Sequence, residues 1–416
     1  MNLGRLSKVL VNNRKVVENY LFMTILQILN SFFYLLIYPY VIRVLGIEGY
    51  GQFVFAMSIA TYFVFFINFG FDLLATKFVA ENITMHDELE EILSIIFTSK
   101  NLLFLSSTLI FTILLITIPF LNENKTIFII SFLSSYATIL FPQWFFQGLQ
   151  NMRSITLIQL SIKLISLPMI FFLVQSKNDL ITYTCIFTGS SLISGLIVHF
   201  FLRFKYRLKI KIVSLTKIKI WYQASLPFFY SSLAGIIKEN SIPIIIGSFF
   251  GMKEVAIYDL ANKLIIVPRT LLSSVNAAIY PKLITIIDNN LVKKIIKLEA
   301  IVSWLVIAAV IVFGKFIVIL MGSMQMIKSY YLAIFLSFTI LSWLVVGAYI
   351  NFVFIPNNKN YLIAKNQFLA MSSFFIVCFI GLFYHKDLMI LGFALAISGL
   401  IELLYCYYVT KRDSLL

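Results

Sequence analysis

The sequence predicts an all-α integral membrane protein of about twelve transmembrane helices, arranged as two six-helix lobes. Three observations carry that prediction. Of the 416 residues, 60% are hydrophobic and only 12% charged, against roughly half and a quarter in soluble domains. The apolar residues fall in long runs, many of them reaching the roughly 20 residues that a helix needs to cross a hydrocarbon core. Lysine and arginine collect in alternate connections between those runs, the pattern by which charge sets topology. Aromatic residues reach 16%, which suits lipid-facing and interfacial positions.

The elements follow in order. Residues 1–17 mix basic and apolar side chains and lead straight into a full span with no cleavage pattern. They predict an amphipathic segment lying in the membrane interface and retained there. Six spans near 18–40, 49–71, 91–118, 125–146, 155–175 and 180–203 make an N-terminal lobe over 18–203. A basic cytoplasmic linker occupies 204–218. Spans near 219–246, 254–280, 298–320, 329–355, 360–383 and 387–410 make a C-terminal lobe over 219–410, and 411–416 form a cytoplasmic tail. Pro142, Pro168, Pro227, Pro243 and Pro268 fall in or near spans, where a kink frees backbone carbonyls and suits helices that bend.

Orientation follows from the loops. The connections on one side, among them the N-terminal segment, the central linker, the connection around Lys293 and the tail, carry about 21 basic residues in all, the opposite connections about 6, which places both termini and the linker in the cytoplasm. A parallel repeat is also visible. A shift of 205 residues lays Gly46, Phe53, Ala56 and Lys77 over Gly251, Tyr258, Ala261 and Lys282, and Pro39 corresponds to Pro243 within a residue. Repeats of one orientation are a known transporter plan, with a binding cavity between halves.

The net charge of +15 does not indicate nucleic acid, because the excess sits in short loops beside membrane spans, where it meets anionic lipid. Cys185, Cys378 and Cys406 have no metal-ligand spacing and read as structural thiols. No phosphate loop, paired-histidine zinc helix or nucleophile elbow is present, so the chain reads as a transporter without a bound cofactor.

Chemistry is carried by ionisable residues inside apolar runs: Lys100, Lys163, Lys238, Glu239, Asp259, Lys263, Arg269, Lys315 and Glu402. A mid-helix lysine or arginine costs roughly 2.5–3.5 kcal/mol on insertion scales, so each needs water or a partner. Asp259 and Lys263 stand one helical turn apart and can pair. Lys238 and Glu239 are adjacent and point about 100° apart, so each needs another partner. Bases outnumber acids, which favours a cavity receiving an anion, lined by Lys100, Lys163, Lys238, Lys263 and Arg269. Lys315 and Lys100 also fit snorkelling interfacial positions. Asp259, Glu239 and Glu402 are candidates for coupling to a proton or sodium gradient.

Several motifs carry a resemblance. PYVIRVLGIEGYGQFVFAMSIATYF (Pro39–Phe63), FGFDLLATKFVAEN (Phe69–Asn82), PQWFFQGLQNMRSITLIQ (Pro142–Gln159), YDLANKL (Tyr258–Leu264) and YPKL (Tyr280–Leu283) resemble, in order and spacing, bacterial polysaccharide (O-antigen) flippases. These are the Wzx-type branch of the multidrug/oligosaccharidyl-lipid/polysaccharide exporter superfamily. The resemblance implies two six-helix lobes, as in MATE transporters, around a cationic cavity in the bacterial inner membrane. It implies a polyprenyl-diphosphate-linked oligosaccharide substrate, an O-antigen or lipopolysaccharide repeat unit passed to the outer leaflet. A polysaccharide polymerase and a chain-length regulator are the implied protein partners. Arg43, Asp72, Lys77 and Arg153 fall within the matching motifs and join the candidates, the three cations to the substrate cavity and Asp72 to ion coupling. Two alternatives stay open. A multidrug or cation exporter of the same superfamily would call for an acid-dominated cavity. A membrane-bound polysaccharide polymerase would need a sizeable outer loop, and no outer connection exceeds roughly ten residues by the span placement.

Overall fold

The computed structural model describes residues 14–211, 213–283, 289–357 and 359–416. Among the described residues all regular structure is helical, as a backbone in lipid requires if it is to satisfy its own hydrogen bonds. Nine helices there are long and apolar enough to cross a membrane, and the chain is a multi-pass membrane protein. The expected interfacial segment lies outside the described residues up to position 13; from Arg14 onward its backbone continues into the first span.

Helix α1 runs from Arg14 to Asn68, 55 residues, and is two helices joined at a kink where Gly46 takes φ 77° and ψ 164°. At a rise of about 1.5 Å per residue, so long a run exceeds twice the hydrocarbon thickness. The break divides that run into two helices. Short α2 (Phe71–Glu81) follows after Phe69 and Gly70, both at positive φ. Then come α3 (His86–Thr117), short α4 (Pro119–Glu123), α5 (Lys125–Leu140), short α6 (Gln143–Gly148), α7 (Met152–Leu173) and α8 (Leu180–Lys205). Helices α9 (Leu215–Phe249) and α10 (Met252–Leu283) carry many of the charges and fall outside the nine apolar spans. The chain ends with α11 (Asn289–Gly322), α12 (Lys328–Tyr349), a π-helical turn Ile350–Phe354, α13 (Asn360–Tyr384) and α14 (Met389–Arg412).

The chain divides into two compact units, Met1–Gly49 with Phe55–Ser232 and Tyr50–Val54 with Leu233–Leu416. In the first, two broken spans meet: α2 packs on α6, Phe71, Phe145 and Phe146 are fully buried, and Thr76 Oγ1 donates to the Trp144 carbonyl at 3.3 Å. The basic connection after α8 is tied back to α3. Lys211 Nζ lies 2.7 Å from Glu90 and Lys217 Nζ 2.5 Å from Glu91. The Glu90 hydrogen bond pushes the Lys211 ammonium above the usual lysine value. In the second unit α12 is central, packing on α10, α11 and α14, around a core containing Leu341, Val345, Phe352 and Phe354. Phe172, Phe316, Phe379 and Phe383 point outward with 69–78% exposure, a lipid-facing surface.

Two of the positions matched by the shift of 205 are alike in backbone. Gly46 (φ 77°) and Gly251 (φ 108°) both sit at positive φ where one helix gives way to the next. Phe53 and Tyr258, and Ala56 and Ala261, are all buried.

Candidate functional site

The first unit holds a polar cavity of ≈ 350 Å³. Its walls are built from polar residues one turn apart on otherwise apolar helices: Ser134 and Thr138 on α5, Gln159 and Lys163 on α7, Ser190 and Ser194 on α8. Such spacing puts each pair on one helical face. Asn68 and Asp72 enter from either side of the Phe69–Gly70 break. That break sets Asp72 in the first turn of α2, where the helix dipole favours a negative charge.

Lys100 reaches this cavity almost fully buried, with its ammonium 2.7 Å from Asp72 Oδ1 and 2.8 Å from Asn68 Oδ1. Its side chain is 3% exposed, whereas that of Asp72 is 45% exposed. Lys163 is held differently. Its ammonium donates to Asn30 Oδ1 at 2.5 Å and sits 5.1 and 5.9 Å from the ring centroids of Phe33 and Tyr34. No acid pairs with it among the described residues.

In the second unit the cations form ion pairs. Lys238 meets Glu402 at 2.5 Å, with side chains 13% and 9% exposed. Lys263 meets Asp259 at 2.5 Å along α10, and the Tyr50 hydroxyl donates to the same carboxylate at 2.7 Å while accepting from Lys263 at 3.0 Å. Arg269 lies 3.4 Å from Glu239 and stacks over Trp343 at 4.7 Å. Neighbours Lys238 and Glu239 thus each take a partner from a different helix.

The expected basic excess is therefore reduced to little. Asp72, Glu402, Asp259 and Glu239 each neutralise one base, and Lys315 is exposed on α11. The remaining candidates lie on α1, α2 and α7. Lys77 is exposed and pairs with Glu81 at 3.9 Å, one turn along α2. Arg43 is exposed on α1. Arg153 lines a second cavity of ≈ 630 Å³ in the first unit, with His86, Asn151 and Tyr206, and lies 5.8 Å from the Phe22 ring centroid.

Charge in an apolar run does not mark the neutral groups of the site: Asn30, Asn68, Gln159 and Ser194. The signal that finds them is the polar pair at one-turn spacing in an apolar run.

Comparison with known proteins places this geometry among relatives. A family model described as polysaccharide biosynthesis protein matches residues 16–287. The chain is 26% identical over 319 residues to a protein of Escherichia coli (strain K12) named "Putative O-antigen transporter", covering 76% of each chain. A Shigella dysenteriae protein of the same name is 26% identical over 268 residues, 64% of this chain and 67% of that one. Among solved structures, an inward-facing multidrug resistance MATE family transporter of the MOP superfamily aligns with TM-score 0.67 at 12% identity, over 94% of this chain and 99% of that one. The lipid II flippase MurJ in an inward closed conformation aligns with TM-score 0.64 at 12% identity, over 95% and 87%. The likeness to these two structures is one of fold.

Proposed function

The chain belongs to the polysaccharide biosynthesis protein family, and from that premise we propose that it is a flippase for lipid-linked oligosaccharide. In this reading it passes polyprenyl-diphosphate-linked O-antigen or polysaccharide repeat units from the cytoplasmic to the outer leaflet of the bacterial inner membrane, by alternating access through a cationic cavity. Twelve helices in two six-helix lobes, 18–203 and 219–410, would make up the carrier, with both termini in the cytoplasm. A polymerase and a chain-length regulator act downstream on the product. The relatives named as O-antigen transporters support the substrate class.

The observation that carries the mechanism is that ionisable groups in the spans are held as ion pairs, Lys238 with Glu402 and Lys263 with Asp259 above all. An unpaired charge in hydrocarbon costs several kcal/mol, so a resting carrier must compensate its lysines internally. A diphosphate offers the same lysines stronger, multidentate acceptors. Its arrival exchanges partners and frees a carboxylate, which then becomes available to a proton or a sodium ion. Asp259, Glu239, Glu402 and Asp72 are the acids on which gradient coupling would rest. A cation exporter fits less well, because each of these acids is already engaged by a base.

Purified protein in vesicles, given a labelled polyprenyl-diphosphate oligosaccharide, provides the test. Protein-dependent exposure of the sugar on the far leaflet is the expected result. No movement across several glycans and imposed gradients, with folded protein present, would overturn the proposal.

A further inference from the structure

The cavity of the first unit has more hydrogen-bonding capacity than its own residues use, and its back-bonded hydroxyls have a definite polarity. Ser134 and Thr138 donate their hydroxyl protons to carbonyls of α5 at 2.6 and 2.8 Å. Ser190 and Ser191 do the same on α8, at 2.8 and 3.2 Å. Such back-bonding is how hydroxyls are satisfied in lipid. It leaves these four side chains with oxygen lone pairs, and no proton, to offer a ligand. Two further lining atoms, Gln159 Oε1 and Ser194 Oγ, are buried without any hydrogen-bond partner. Ser194 is only 4% exposed. A buried polar atom left unpaired costs about 1–3 kcal/mol, so both are poised for a ligand.

Charge narrows the class further. The ionised residues lining the cavity are Asp72, Lys100 and Lys163. Asp72 and Lys100 cancel, and among the described residues the Lys163 ammonium is met only by an amide oxygen and ring faces. A small cation is disfavoured by that uncompensated ammonium. A simple anion would need many donors, and the hydroxyl rim supplies acceptors. A ligand with many O–H donors and one negative charge matches both features. At ≈ 350 Å³ the space lies near the lower end of ligand pockets, roughly 300–1,000 Å³, suited to one ring and too small for a repeat unit.

We propose that this cavity is a subsite for a single acidic sugar ring, whose carboxylate pairs with Lys163 and whose hydroxyls donate to Gln159, Ser194 and the serine rim. The inference rests on the flippase reading and adds a site for one part of the glycan, distinct from the groups assigned to the diphosphate.

The test has two arms. In the first, glucuronate, glucose and acetate are titrated against full-length protein in detergent. Trp144, which lines the cavity, serves as the fluorescent reporter, with Trp221, Trp304 and Trp343 replaced by Phe. Glucuronate should bind more tightly than either glucose or acetate. Lys163→Gln should weaken it about tenfold, the scale of one charge-assisted hydrogen bond, and Lys163→Arg less. Ser194→Ala, a milder change, should weaken glucuronate and glucose alike. Equal binding of acetate and glucuronate, or no effect of Lys163→Gln in folded protein, would overturn the proposal.

In the second arm, vesicles receive two lipid-linked glycans that differ only in one carboxylate. Lys163→Gln should slow the acidic glycan about fivefold or more beyond any slowing of the neutral one. An equal effect on both overturns the subsite and leaves the flippase standing. Glucuronate binding without movement of either glycan by wild-type protein does the reverse.

Discussion

At the scale of single residues, two buried ion pairs make different demands. Lys100 is 3% exposed, but its partner Asp72 is 45% exposed and sits in the first turn of a helix. Asp72→Asn should therefore leave a buried ammonium facing neutral amide oxygens and no carboxylate, at a cost of roughly 3–5 kcal/mol. Lys100→Met leaves a carboxylate with water and a helix dipole and should cost less. The double variant should recover much of the Asp72→Asn loss, because replacing both members of a buried pair is often near neutral. Lys238 and Glu402 are enclosed alike, 13% and 9% exposed, so Lys238→Met and Glu402→Gln should destabilise by similar amounts. Thermal unfolding in detergent checks both sets, and equal losses for Asp72→Asn and Lys100→Met would refute the asymmetry. Sequence alone flagged all four residues. It paired only Asp259 with Lys263, because one helical turn brings them together. Asp72 is 28 residues from Lys100 and Glu402 is 164 from Lys238, separations that no periodicity bridges.

At the scale of elements, the spans were legible and their interruptions only partly so. Length and apolarity reveal a crossing. A break depends on one backbone conformation. Pro142 announces the end of α5, where the chain resumes as α6 after Phe141 and Pro142, but the span read as 49–71 ends at Asn68 with no proline to mark it. Gly46 and Gly251 were aligned only as a sequence match, and the structure gives that match a physical basis in their positive φ. An added Cβ at either would meet nothing closer than 3.7 Å, so Ala costs backbone strain alone, about 1–3 kcal/mol each. At Gly51 the φ is ordinary, but a Cβ would lie 1.7 Å from the Met252 carbonyl oxygen, and Gly51→Ala should cost more than either. Gly189 has open space within α8, so Gly189→Ala should be neutral or gain up to about 1 kcal/mol. Membrane abundance and Tm measured in parallel order the four variants, and a Gly46→Ala protein as stable as Gly189→Ala would remove the strain argument.

At the scale of the whole molecule, the sequence conveyed its class through the sums of many residues, which tolerate local error. What it could not convey was compensation. Counting bases against acids suggested a strongly cationic interior, whereas in the fold four acids cancel four of those bases and leave Lys163 without an acid among the described residues. Charge outside the spans, even where it is paired as Lys211 and Lys217 are with Glu90 and Glu91, should act collectively on topology. The linker residues Arg203, Lys205, Arg207, Lys209, Lys211, Lys217 and Lys219 dominate the cytoplasmic sum. With Cys185, Cys378 and Cys406 replaced by Ala, a cysteine introduced at exposed Ser214 or Ser414 should react with a membrane-impermeant maleimide only in inside-out vesicles. One at exposed Asn122, in the connection between α3 and α5, should react only in right-side-out vesicles. Labelling of Ser214→Cys and Asn122→Cys from the same face would require an even number of crossings between them. That would break the twelve-helix plan, because three crossings on α5, α7 and α8 separate the two sites only if each of those helices spans the bilayer.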